Sequence, residues 1–136
     1  MNMFYKNINS FFDELLIDLN CQQDTRAYIV SIYEKYKTAN FDLSKDSVTL
    51  LYAQARHKQD FLIYQNLGDW IFFTNTIAPQ HLQCASKEYY DTIARISYYS
   101  CYTLIDRQWK LFEELADDFQ SLEAQVKLRI PKLKKM

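Results

Sequence analysis

Apolar residues recur at three- and four-residue spacing along most of the chain, the signature of helices that each bury one face. The first stripe, Phe4, Ile8, Phe11, Phe12, Leu15, Leu16 and Leu19, predicts a helix from Met3 to Asn20. After a short link at Cys21–Gln23, Asp24 stands as an N-cap for a second helix ending near Lys37, with Ala27, Tyr28, Ile29, Ile32, Tyr33 and Tyr36 on its inner face. Thr38 to Leu43 reads as a loop, and Ser44 or Asp46 can cap the next helix. The period then persists for roughly thirty residues from Asp46, through Val48, Leu51, Tyr52, Ala55, Gln59, Leu62, Ile63, Leu67, Trp70, Ile71, Phe73 and Ile77. Gly68 lies inside this run and marks either a kink or a close approach by another helix. Pro79 ends it, because the residue before a proline is pushed out of helical geometry.

Ser86 is the N-cap expected for the next helix, in which Ala94, Ser97, Ser100 and Cys101 are small enough to let a neighbouring backbone come near. Asp106 is placed to cap a last helix carrying Trp109, Phe112, Leu115, Phe119, Leu122, Val126 and Ile130. The pattern therefore predicts an all-α, single-domain bundle of five to six helices over residues 1–130, with a long central helix kinked or interrupted near Gly68, and a basic tail over 131–136.

Composition sharpens this picture. One Gly and two Pro leave no turn chemistry for a meander of short strands, while eleven Tyr, nine Phe and two Trp supply bulky core material. A formal net charge of −1 gives no field to attract phosphate backbones and speaks against a nucleic-acid partner. Asp13 and Glu14 interrupt the first apolar stretch, which makes it a poor secretory signal and points to a cytoplasmic protein. The greasiest segment, Phe61 to Ala78, contains Asn66, Asp69 and Asn75, so no membrane span is expected. Three cysteines with no CxxC spacing suit reduced thiols rather than a disulfide framework.

Four strings in order, AYIVSIYEKY (27–36), LGDWIFF (67–73) ahead of Pro79, YYDTIARISY (89–98) and LFEELADDFQSL (111–122), resemble a family of small all-helical bacterial proteins. The resemblance covers Ala27 to Ile130 and implies a helical fold, with no activity, cofactor or catalytic residue to carry over. That family's pattern has Gly shortly before the proline and Gly where Ala94 stands. This chain has Thr74 and Asn75 in the first stretch and keeps only small size at Ala94.

Three constellations carry candidate chemistry. His81, Cys84 and Glu88, with Asp91 a turn further on, offer N, S and O donors of the kind zinc takes. A helix starting at Ser86 leaves His81 and Cys84 in the preceding turn, so neither a metal nor another cofactor is expected. No Glu-x-x-His pair exists for a di-iron centre, and one Gly cannot build a phosphate loop. The second group is Asn66, Asp69 and Asn75. Asp69, if buried, needs a partner such as Arg95 or Arg56 or must shift its pKa, and the alternative reading is a small-ligand-binding protein or enzyme with a pocket formed by Asp69, Asn66, Arg95 and Tyr98. The third is the tyrosine band. Adjacent Tyr98 and Tyr99 cannot face the same core, which makes Tyr98, Tyr99, Tyr102 and Trp109 candidates for an interface. Together these favour a non-enzymatic interaction protein, an adaptor or small subunit, associating with a protein partner or with itself as a homodimer.

Overall fold

Capping chemistry sets where each helix begins and ends. The computed structural model describes residues 12, 14–36, 45–82, 85–105 and 109–129. Among these it contains no strand and six α-helices: α1 (Gln23–Tyr36), α2 (Lys45–Lys58), α3 (Phe61–Ile77), α4 (Lys87–Leu104), α5 (Lys110–Asp117) and α6 (Phe119–Lys127), with a 3-10 turn at Pro79–His81. The all-α, single-domain bundle expected from the periodicity is what forms. Of the expected Met3–Asn20 helix, the described part ends early: Glu14 and Leu15 are helical and the chain turns at Leu16–Asp18. The Thr38–Leu43 loop, the Ser44 and Asp106 caps, Cys84 and the 131–136 tail lie outside the described residues. Asp24 sits in the first turn of α1 rather than at its N-cap, because the helix starts at Gln23, two residues earlier than expected.

The long central helix is corrected. It is two helices, and the break falls at Gln59–Asp60 rather than at Gly68. Gln59 takes a left-handed φ of 52° just past the end of α2, and the Asp60 amide reaches back to the Ala55 carbonyl at 3.1 Å, the wrap-around bond of a Schellman cap. Asp60 then caps α3, its Oδ1 accepting from the amides of Leu62 (3.0 Å) and Ile63 (3.3 Å). Gly68 stays helical and serves the other purpose anticipated for it. A Cβ there would lie 2.7 Å from Cε1 of Tyr98, so the missing side chain lets α4 press its ring against the α3 backbone. Pro79 ends α3 and opens the 3-10 turn, and the Ser86 hydroxyl accepts from the Tyr89 amide at 3.1 Å to start α4. The last expected helix is also two, bent at Asp118, whose φ and ψ of −107° and 20° leave helical geometry between α5 and α6.

Helix α3 is the axis of the bundle. It buries residues on nearly every side, Tyr64 and the unbroken run from Leu67 to Phe72 among them, and packs on α1, α2, α4 and α6. Around it the Tyr98 ring meets Phe112 and Phe119 at tilted angles, and Phe119 meets Phe72 edge-on. No described helix is long and apolar enough to cross a membrane.

Candidate functional site

Asp69 projects from the middle of α3 and is only 3% exposed. Its carboxyl pairs with neither arginine anticipated for it. The Tyr28 hydroxyl from α1 donates to it, 2.8 Å from Oδ1 and 2.9 Å from Oδ2, and the Tyr98 hydroxyl from α4 donates to Oδ1 at 2.9 Å. Gln65 Nε2 in turn donates to the Tyr28 hydroxyl at 3.0 Å. Burial pushes the Asp69 carboxyl up to about 6; the two tyrosine hydroxyls and the charge of Lys35 hold it from going further. Burial, with Asp69 alongside, drives both phenols well above their ordinary value, so they act as donors and stay protonated. The Phe112 ring lies 5.4 Å from that of Tyr28 and 6.2 Å from that of Tyr98, closing the cluster from α5.

A second buried polar cluster joins α3, α4 and α6. Asp91 Oδ1 accepts from Asn75 Nδ2 at 3.0 Å, and the Lys87 ammonium bridges Asp91 Oδ2 (2.6 Å) and Glu123 Oε1 (2.8 Å). Both carboxylates are almost fully buried while Lys87 is half exposed, so the lysine covers them from the solvent side. Burial raises the Glu123 pKa and Lys87 offsets part of that rise. Among the described residues no three His, Cys, Asp or Glu side chains converge as a metal would require; His81 and Glu88 are both exposed.

The remaining candidates separate. Asn66 lies on the outer face of α3 and accepts from Lys35 Nζ at 2.9 Å, while Arg95 lies on the outer face of α4, its Nε donating to the Ala116 carbonyl at 2.9 Å. Asp69 and Tyr98 are thus joined, but Arg95 and Asn66 do not form a pocket with them. Of the interface candidates, Tyr98 is fully buried and belongs to the core. Tyr99 is 52% exposed and Trp109 46%, with Tyr102 half-buried and its ring 6.1 Å from that of Tyr99. Among the described residues, hollows open between helices on two faces. One, of about 270 Å³, runs between α4 and α5 and is lined by Thr92, Arg95, Ile96, Tyr99, Ala116 and Asp117. The other, of about 280 Å³, lies between α1, α2 and α3.

No protein-family model matches the chain, and neither a curated protein nor a solved structure matches it significantly. The geometry of its own residues therefore carries the functional reading. Sequence reasoning missed Tyr28 as the partner of Asp69 and missed the Lys87–Glu123 bridge. Tyr28 lies 41 positions from Asp69 and Lys87 lies 36 from Glu123, separations at which no periodic signal connects two side chains. The nearer signal was Lys87 four residues before Asp91, helix-surface spacing for an ion pair.

Proposed function

We propose that this chain is a helical interaction protein of the cytoplasm that self-associates as a homodimer through the outer face of α4 and α5. One observation carries the reading: Ile96 and Tyr99, 42% and 52% exposed, line an open hollow bordered by two charges of opposite sign, Arg95 on the α4 wall and Asp117 on the α5 wall. Neither charge has an ion-pair partner among the described residues. A two-fold axis through such a hollow lays α4 of one copy over α5 of the other and sets each Arg95 against the opposite Asp117, the self-complementarity that an isologous contact requires. An apolar, aromatic centre with a charged rim is also the usual anatomy of a protein interface. Tyr102 and Trp109 extend the aromatic surface, while Tyr98 contributes from beneath by fixing α4 on α3. Cys21 and Cys101 are free thiols, in keeping with a reducing compartment. The buried acid Asp69 lines neither hollow, which favours binding over catalysis.

Light scattering on the purified chain at tens of micromolar tests this. The wild type is expected at twice the chain mass and Tyr99→Glu at the chain mass, with unchanged helical content because Tyr99 lies on the surface. A wild-type monomer, or a Tyr99→Glu variant that stays dimeric, contradicts the proposal.

A further inference from the structure

The hollow between α1, α2 and α3 has a different character. Its walls are apolar, from Leu51 on α2 and Ile63, Leu67 and Trp70 on α3, and its rim is polar at Lys35 and Asn66. The orientation of the Asn66 amide is fixed by chemistry: an ammonium only donates, so the oxygen faces Lys35 Nζ, at 2.9 Å, and the NH₂ group points away. That NH₂ group has no partner among the described residues, and Lys35 makes no ion pair among them; its ammonium sits 5.0 Å from the centre of the Tyr36 ring. The rim therefore offers uncommitted donors and one positive charge, above a greasy floor that reaches two buried side chains, Leu67 and Trp70.

We infer that this hollow binds a small amphipathic carboxylate, its acid group between Lys35 Nζ and Asn66 Nδ2 and its apolar body against Leu67 and Trp70. The charge selects the class. A cationic ligand would meet Lys35 head-on, and a neutral one would leave the ammonium without its counter-charge. The volume of about 280 Å³ admits a single aromatic ring or a short branched chain and falls below the usual range for drug-sized ligands. The site is separate from the α4–α5 face, so it stands or falls independently of dimerisation.

Phenylacetate serves as the probe, with phenethylamine and phenethyl alcohol as controls for charge, and side-chain NMR of the full chain as the readout. The expected result is saturable shifts of the Asn66 side-chain amide and the Trp70 indole with phenylacetate, about tenfold tighter than with either control. Lys35→Met is expected to weaken phenylacetate about tenfold, to leave phenethyl alcohol unchanged and to tighten phenethylamine by removing the like charge. Lys35 and Asn66 are exposed, and unchanged thermal unfolding of Lys35→Met and Asn66→Ala would show that a lost affinity is not a lost fold. The inference is overturned if phenylacetate gives no saturable shift at millimolar concentration, binds no better than the amine or the alcohol, or binds Lys35→Met as well as the wild type.

Discussion

A carboxyl sealed among tyrosines behaves differently from one in an ion pair. Among the described residues no cation touches Asp69; two phenolic donors stabilise its charged form and burial opposes it, leaving the carboxyl at about 6 against an ordinary 3.8. Linkage gives the sign. The native state binds this proton more tightly than the unfolded chain, so the stabilisation is fully present below the ordinary value and is lost as pH rises through about 6. Asp69→Asn has no proton to lose. Between pH of about 8 and about 4, the stability of the wild type relative to Asp69→Asn is expected to rise by about 2 kcal/mol, most of the full effect at about 1.4 kcal/mol per tenfold change in proton affinity. Urea titrations of the two proteins across that window check it, and because Glu123 and the other carboxyls are common to both, the difference isolates Asp69. Parallel curves would mean that Asp69 titrates normally.

At the scale of elements, two short stretches of chain decide how the helices meet. Gly68→Ala improves helix propensity by about 1 kcal/mol yet places a methyl group 2.7 Å from a Tyr98 ring that is fully buried and cannot swing away. Overpacking of this kind costs about 1–3 kcal/mol, so a net loss of stability is expected by chemical denaturation, and a gain would show that the Tyr98 ring leaves room for a methyl group against α3. The α2–α3 break makes opposite predictions at neighbouring positions. Gln59→Gly relieves a left-handed residue and is expected to stabilise by up to about 1 kcal/mol, whereas Asp60→Ala removes an N-cap and is expected to cost about 0.5–2 kcal/mol in the same assay. These junctions also explain which boundaries were legible in the sequence. Pro79 and Ser86 act through their own covalent chemistry and could be read directly. The α2 cap uses Gln59 where glycine is the usual signal, and apolar spacing runs straight across it, so two helices looked like one. Asp118 hid the α5–α6 bend in the same way, since Leu115, Phe119 and Leu122 keep the helical period through it.

For the molecule as a whole, the excess of tyrosine divides into two roles. Tyr33, Tyr90 and Tyr98 fill the core, and the hydroxyls of Tyr28 and Tyr98 converge on the single buried acid of α3. Tyr99, one position from the fully buried Tyr98, faces outward beside Ile96. Helix geometry made that division predictable for the pair, but which of the two faced inward depended on Gly68 opening space for Tyr98, a contact between separate helices. The outward set, with Arg95 and Asp117, is what the dimer proposal uses. Its sharpest test is a charge exchange analysed by sedimentation equilibrium. Arg95→Glu alone and Asp117→Arg alone each set like charges against one another across the two-fold axis, and each is expected to weaken the dimer. The double variant restores opposite charges and is expected to recover most of the wild-type association. A wild type that sediments as a monomer, or a double variant no better associated than the singles, would contradict a homodimer built on this face.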